Sequence, residues 1–130
     1  MKINDEFRVD FVVTDEIYQG FIQVFKDKNC LHVDKAYAES KGFNDVVMHG
    51  NILNGFLSYF VGECLPLKNV IIHSQEIKFA KPVHLNDRLQ LCATITDVIE
   101  SVNVVIFNLF FQNADQVKVA KGKLQIGVLY

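Results

Sequence analysis

The feature that most constrains the fold of this chain is a long apolar segment between residues 46 and 64. Apolar side chains lie on nearly every face that a helix would present there: Ile52, Leu53, Phe56, Leu57, Tyr59, Phe60 and Val61. Such a helix is stable only when other parts of the protein surround it. Polar residues also interrupt the segment, namely His49, Asn51, Asn54 and Glu63. They make it too polar to span a bilayer, so we predict a central helix buried inside the protein.

The second half of the chain supplies what could surround this helix. Four strand-like runs are rich in Val, Ile, Phe and Thr, and turn signals separate them. They are Val70 to Phe79, Arg88 to Ile99, Val102 to Gln112 and Val117 to Val128. Strands joined by short turns favour an antiparallel sheet. We therefore predict the α+β class, with an antiparallel β-sheet wrapped around a long central hydrophobic helix.

The beginning of the chain predicts one strand and one helix. Phe7, Val9 and Phe11 alternate with polar residues, which is the period of a half-buried strand. Thr14 precedes a segment with helical apolar spacing, so we expect it to cap a helix that ends near Lys26. The residues that follow this helix would form a loop.

That loop contains two side chains capable of acid–base chemistry, Asp27 and His32, five positions apart. Asp34 is expected to cap a second short helix, because residues 35–41 are mostly good helix formers and Gly42 supplies a stop. His32 would then lie just before a helix start. A carboxylate and a neutral imidazole can hold one water between them and exchange its protons near neutral pH.

The start of the central helix offers a second chemical feature. Gly50 lets a ligand oxygen approach backbone N–H groups that have no partner at a helix start. Asn51 adds a polar amide that could contact a substrate. His49 could donate to a substrate, or it could fix the loop before Gly50; both interpretations stay open.

Length and composition indicate a single domain, residues 1–130, with one core. The net charge of −2 and the absence of a Lys/Arg-rich block argue against a nucleic-acid partner. Three cysteines are too few and too scattered for a disulfide framework, so we expect reduced thiols and a cytoplasmic location. The N-terminus lacks the apolar run of an export signal.

Three linked motifs lie between residues 27 and 87. They are Asp27-x-Asn29-Cys30-x-His32-x-Asp34 with Ala36-Tyr37-Ala38, then His49-Gly50, and then Phe79-x-Lys81-Pro82-Val83 with Asp87. In order and approximate separation they resemble the MaoC-like (R)-specific enoyl-CoA hydratase and dehydratase family, which has the hot-dog fold. The resemblance implies reversible syn addition of water to a trans-2-enoyl thioester, giving an (R)-3-hydroxyacyl thioester.

The same resemblance implies a role for each matching residue. Asp27 and His32 would be the catalytic pair, and the Gly50 backbone N–H would polarise the thioester carbonyl. Asn29 would shape the loop and Ser58 would line the site. The implied substrate is carried by CoA or an acyl carrier protein, and the implied assembly is a homodimer, or a higher oligomer built from dimers, whose sheets join edge to edge. No cofactor, metal or membrane partner is implied.

Three departures from the family pattern concern the substrate more than the chemistry. Cys30 stands where the family usually has proline, which frees the loop backbone. Asn51 replaces a methionine, and Phe25-Lys26 stand where a Ser/Thr-Gly-like pair is more usual. The departures at Cys30 and Asn51 motivate a rival interpretation as a non-catalytic acyl-thioester-binding or dimerising module.

Other interpretations also have candidate residues. A hot-dog thioesterase would need an acid on the central helix, where only Glu63, near its end, is available. A partner that meets its substrate only on an acyl carrier protein would leave CoA thioesters unchanged. Lys78, Lys81 and Arg88 are candidate contacts for a phosphate-bearing carrier, or simply solvated charges at strand ends. No Cys/His spacing favours a metal site.

Overall fold

A computed structural model describes all residues 1–130 of the chain. Five antiparallel strands form one sheet: β1 (Glu6–Val12), β2 (Val70–Phe79), β3 (Arg88–Ile99), β4 (Val104–Asn113) and β5 (Lys118–Val128). Their spatial order is β1-β3-β4-β5-β2, so β1 and β2 are the edge strands. The sheet therefore brings the first strand of the chain beside strands from its second half.

Four helices accompany the sheet, α1 (Asp15–Phe25), α2 (Cys30–Val33), α3 (Lys35–Ser40) and α4 (Asn51–Tyr59). Thr14 caps α1 by accepting a hydrogen bond from the Ile17 N–H, and Asp34 caps α3 by accepting one from the Tyr37 N–H. Both predicted caps are confirmed. None of these helices combines the length and the apolar character that a membrane span requires.

The core lies between α4 and the concave side of the sheet. Helix α4 contributes Leu53 and Leu57, which are buried against aromatic side chains of the sheet such as Phe107 and Phe111. Phe60, one turn further along, is fully buried in edge-to-face contact with Phe107. The predicted arrangement of an antiparallel sheet around a central hydrophobic helix is confirmed.

The central helix has its N-cap at Gly50, where the sequence placed the helix start, and does not include the first residues of the apolar segment. Residues 46–50 are not helical; the Val47 N–H donates to the Leu31 carbonyl and the Met48 N–H donates to the Val83 carbonyl. These bonds to two other parts of the chain outcompete the helical pattern, and α4 begins at Asn51. At the other end, residues 60–64 continue α4 as a π-helical turn. One side of α4 is also more exposed than we predicted, since Ser58 and Tyr59 face outward.

Smaller differences have local causes. Asn29 caps α2, a short helix that the sequence had not indicated and that contains His32. Strand β4 begins two residues later than predicted, because residues 100–102 form a 3₁₀ turn that ends at Asn103 in the left-handed conformation. Strand β5 begins at Lys118 rather than Val117.

Candidate active site

The end of α1 places Asp27 beside α2. Lys26 adopts the left-handed conformation, with φ 65°, and its N–H closes the helix on the Ile22 carbonyl. The chain therefore turns sharply, and Asp27 follows the turn. The Asn29 N–H donates to Asp27 Oδ1 at 3.1 Å, while Asn29 Oδ1 accepts from the Leu31 N–H at 3.0 Å. Asn29 thus orients the carboxylate and begins the helix that holds His32.

The imidazole of His32 has a defined tautomer when it is neutral. Its Nδ1 lies 2.7 Å from the Val47 carbonyl oxygen, which can only accept, so Nδ1 carries the proton. The unprotonated Nε2 then faces Asp27, at 3.8 Å from Oδ2. That separation is too long for a direct hydrogen bond but suits a bridging water. Two acceptors that face one water can each accept a hydrogen bond from one of its O–H groups. The lone pairs of the water oxygen then stay free.

Three further contacts hold this pair in place. His49 is only 2% exposed, and its Nε2 donates to the Asp27 backbone carbonyl at 2.9 Å. Its ring also packs against the His32 ring, with centroids 4.0 Å apart. The Tyr18 hydroxyl donates to the His32 carbonyl. Burial, and then the charges of Asp15 and Asp45, raise the pKa of Tyr18, so this hydroxyl stays a donor.

Of the two interpretations of His49, the contacts favour the one in which it fixes the loop. Its Nε2 proton is already bonded to the Asp27 carbonyl, and its Nδ1 is buried without a partner. The ring lies behind His32 and against Phe21, at 4.5 Å between centroids. His49 therefore holds Asp27 and His32 in position, through its hydrogen bond to the Asp27 carbonyl and its packing against the His32 ring.

The start of α4 offers unpaired donors, as the sequence suggests. Neither the Gly50 nor the Asn51 backbone N–H donates a hydrogen bond within the chain. Gly50 leaves little room for a side chain, since a Cβ built there would lie 2.8 Å from Cζ of Phe79. Because the dipole of α4 adds positive potential at this end, the free N–H groups suit an oxygen that gains negative charge.

Side-chain amides orient Asn51. Asn51 Oδ1 accepts from Asn54 Nδ2 at 2.9 Å, and Asn54 Oδ1 accepts from Gln75 Nε2 at 2.9 Å. The chain of bonds runs from strand β2 across to the helix start. Because the Asn51 Oδ1 already accepts the hydrogen bond from Asn54, the N–H₂ group of the Asn51 amide stays free for a ligand.

These groups meet in a cavity of about 460 Å³. Asp27, His32, His49, Gly50 and Asn51 all line it, and its far wall is formed by Phe79, Ala80, Lys81, Pro82 and Val83. A second, more apolar groove of about 1170 Å³ lies between β1, α1 and α4. Asp27, Asn51 and Phe21 line both spaces. The acid–base pair therefore stands where a polar cavity opens into an apolar groove.

Two candidate residues are not brought to this site. Ser58 is exposed and lines neither the cavity nor the groove. Ser58 lies about two helical turns beyond Gly50, but it is on the outward side of α4. Glu63, the only candidate acid for a thioesterase, also lines neither space and lies 3.8 Å from the Lys68 ammonium.

Asp27, His32 and His49 could also be considered as metal ligands. Each offers one ligand atom, and these atoms lie within 4.8 Å of one another. The sequence had not grouped His49 with the other two. An ion at this point would occupy the space between Asp27 and His32 in which we place a water, so the two uses exclude each other.

Comparison with known proteins decides the family. The family model described as "MaoC like domain" matches residues 3–108. The chain belongs to the MaoC-like domain family. This confirms the resemblance drawn from the motifs at residues 27–34, 49–50 and 79–87.

Individual members of the MaoC-like family are similar to this chain over part of their length. An (R)-specific enoyl-CoA hydratase of Rhodospirillum rubrum is 31% identical over 87 residues, which are 67% of this chain and 60% of that protein. A mitochondrial 3-hydroxyacyl-[acyl-carrier-protein] dehydratase of Arabidopsis thaliana is 26% identical over 89 residues, 68% of this chain and 52% of that protein. The chain thus aligns with less than two thirds of each relative.

Solved structures confirm the hot-dog fold of this MaoC-like chain. An (R)-hydratase from A. caviae involved in PHA biosynthesis superposes with a TM-score of 0.90 at 21% identity, covering 99% of this chain and 98% of the other. The R-hydratase PhaJ1 from Pseudomonas aeruginosa gives a TM-score of 0.88 at 23% identity, covering 98% and 82%.

Several residues at this MaoC-like site were not identified as functional from the sequence. Phe21 lines both spaces, Tyr18 holds the backbone of α2, and Gln75 reaches Asn54 from an edge strand. Phe21 and Tyr18 lie on one apolar helix face, where nothing distinguishes them from core residues. Gln75 had one available signal, a polar residue at an inward position of a strand.

Proposed function

We propose that this protein catalyses the reversible hydration of trans-2-enoyl thioesters to (R)-3-hydroxyacyl thioesters. The observation that carries the proposal is the gap of 3.8 Å between His32 Nε2 and Asp27 Oδ2, beside the unpaired N–H groups at the start of α4. The deciding experiment is hydration of crotonyl-CoA by the wild-type and Asp27→Asn proteins, with chiral analysis of the product.

The reaction has two linked events, the addition of water at C3 and the protonation of C2. The water oxygen bonds to C3 of the enoyl group while Asp27 accepts a proton from that water. Negative charge then moves to the thioester oxygen, which the Gly50 N–H stabilises. Nε2 of His32 is unprotonated, so it takes this proton from Asp27 as the two side chains close from 3.8 Å, and then releases it to C2, which returns both groups to their starting forms. One water thus supplies both the hydroxyl and the hydrogen, and both arrive from the same side.

The apolar groove supports a proposal for the acyl tail. Because the groove begins at Asp27 and Asn51, a tail beyond C3 would run between α1 and α4, past Gly55. Nothing lies within 4 Å of a Cβ at Gly55, so Gly55→Leu would project into open groove. We expect kcat/KM for a trans-2-octenoyl thioester to fall by about 10- to 100-fold, the equivalent of a few unburied methylenes. Crotonyl thioester turnover should change little.

Gly62→Leu is a matched control for the Gly55 variant. Gly62 follows α4, is exposed, has nothing within 4 Å of a built Cβ, and lines neither space. Kinetics with the two thioesters on both variants would test the groove. Equal losses on the short and the long substrate would place the acyl tail elsewhere.

We also propose a homodimer that works in the cytoplasm. Edge strand β2 has ten residues, one side without a neighbouring strand, and an exposed Ile71 (49%). Such an edge is normally covered, and pairing with a second copy would cover it. The three free cysteines suit a reducing compartment. Sedimentation equilibrium should give twice the chain mass of 14.8 kDa; a monomer at micromolar concentration would contradict the dimer.

A further inference from the structure

Four lysines meet at the corner where β2 ends against the beginning of β5. Lys78 and Lys121 lie directly opposite each other on these two strands. Lys121 is in turn opposite Phe110 of β4, and the Lys118 ammonium lies 4.3 Å above the Phe110 ring, on the same face. Lys81 follows β2, and its N–H donates to the carbonyl of Val119. We call Lys78, Lys81, Lys118 and Lys121 the lysine corner.

The positive charge of the lysine corner is not balanced within the chain. All four side chains belong to exposed residues, and none lies within 4.0 Å of a carboxylate. The nearest carboxylate by strand register, Glu76, stands opposite Lys123 instead. Like charges directly opposite each other destabilise a sheet. A concentration of cations on a chain of net charge −2 therefore costs stability and favours an anionic partner.

The lysine corner adjoins the candidate active site. Phe79, Ala80, Lys81 and Pro82 form one wall of the catalytic cavity. Lys78 directly precedes this wall, and Lys118 directly precedes the Val119 carbonyl to which Ala80 and Lys81 are bonded. Arg88, also considered as a phosphate contact, is paired with Val12 at the opposite side of the sheet and does not join the corner. Lys81 itself lines the cavity, whereas Lys78, Lys118 and Lys121 lie on the outer face of the sheet at the same end, so a thioester arm from a carrier on that face would pass round this end of the sheet.

We infer that the lysine corner is the docking surface for a small acidic carrier protein, which presents the acyl group on its phosphopantetheine arm. The inference rests on the proposed function, since it assigns the source of the thioester. Lys78, Lys118 and Lys121 are spread over an open sheet face, with Lys81 just beyond its end, where an acidic protein surface can engage them together. The phosphates of a free nucleotide would need a concave site, and the aromatic ring beside these lysines, Phe110, is covered by Lys118.

The test compares one variant with two substrates. In K78Q/K118Q/K121Q three exposed charges are removed, while Lys81 and every residue in contact with the cavity are kept. The substrates are crotonyl-CoA and crotonyl-phosphopantetheine on a bacterial acyl carrier protein. We expect kcat/KM for the carrier-bound substrate to fall by about tenfold at low salt, through KM, because weaker steering slows encounter. Crotonyl-CoA should be turned over within twofold of wild type, which also reports intact folding.

A matched variant removes the same charge elsewhere. Lys2, Lys35 and Lys41 are exposed and lie outside the lysine corner, so K2Q/K35Q/K41Q should leave both substrates within twofold of wild type. For the wild type, added salt should lower turnover of the carrier-bound substrate more than that of crotonyl-CoA.

Two results would overturn the inference. Equal losses on the two substrates would assign the lysines to the nucleotide phosphates of CoA, and no loss on the carrier-bound substrate would leave them without a docking role. Failure of the proposed function is distinguishable, because the wild type would then hydrate neither substrate. In that case fluorescence anisotropy with the labelled carrier protein decides: binding weakened only in K78Q/K118Q/K121Q supports the docking surface, and unchanged or absent binding refutes it.

Discussion

Asp27→Asn should lower kcat/KM for crotonyl-CoA by about two to four orders of magnitude, the usual effect of removing a general base. The amide keeps the shape of the carboxylate, and its oxygen can still accept from the Asn29 N–H, which lies 3.1 Å from Oδ1. The backbone contact from His49 is unaffected, because it ends on the Asp27 carbonyl. What the variant loses is the ability to take a proton from a water between Asp27 and His32, whose facing atoms are 3.8 Å apart.

Three measurements make this result interpretable. Urea unfolding should show a change in free energy of less than about 1 kcal/mol, since the side chain is 48% exposed and its local bond is kept. Loss of enoyl absorbance gives the rate. Calorimetric binding of crotonyl-CoA separates binding from turnover. A wild-type protein that binds crotonyl-CoA without turnover would support the rival interpretation as a binding module, and full activity in Asp27→Asn would refute Asp27 as the base.

A second variant tests whether Asp27 and His32 act as a unit. His32→Gln removes the imidazole that faces the same water, and alone it should cost about as much as Asp27→Asn. When two groups serve one step, losing the second adds little to losing the first. We therefore expect kcat/KM of the double variant to lie within about tenfold of that of the less active single variant. Fully multiplicative losses would show that the two side chains act on separate steps.

Much of the fold could be predicted because its signals are local. Thr14 and Asp34 mark helix starts because their own side chains cap the helices. Residues 88–99 alternate strongly enough to give the bounds of β3. The path of the residues before α4 could not be predicted in this way. Residues 46–48 are equally compatible with a buried helix and with a crossing segment, and hydrogen bonds to Leu31 and Val83 decide between them.

In the candidate site, too, some residues are identified by local sequence signals and others are brought together only by the fold. Asp27, His32 and Gly50 stand in short motifs that the family resemblance identifies. The support beneath them joins distant residues: His49 reaches the Asp27 carbonyl across 22 positions, and Gln75 reaches Asn54 across 21. Spacing in the sequence cannot encode such contacts, because they depend on how the helices fold over the sheet. Ser58 shows the converse, since its motif position did not place it in the cavity.

Gly50→Ala should lower kcat/KM for crotonyl-CoA by about a hundredfold, comparable with losing one donor to a developing oxyanion. The backbone tolerates alanine, because Gly50 has φ −58° and ψ −33°. The added methyl group would lie 2.8 Å from Phe79 Cζ, beside the N–H groups that we propose polarise the thioester. Phe79 is 52% exposed and can shift, so the cost falls on the space for substrate rather than on folding.

Gly55→Ala makes the same chemical change about one and a half turns further along α4, where a Cβ meets nothing within 4 Å. It should leave crotonyl-CoA turnover within about twofold of wild type and slightly raise the free energy of unfolding, since alanine favours a helix interior over glycine. The double variant Gly50→Ala/Phe79→Ala removes the ring that the new methyl group would displace. If the methyl itself keeps the thioester oxygen from the Gly50 N–H, the double variant stays slow; recovered activity would attribute the loss to the displaced ring and remove the support for an oxyanion site at Gly50.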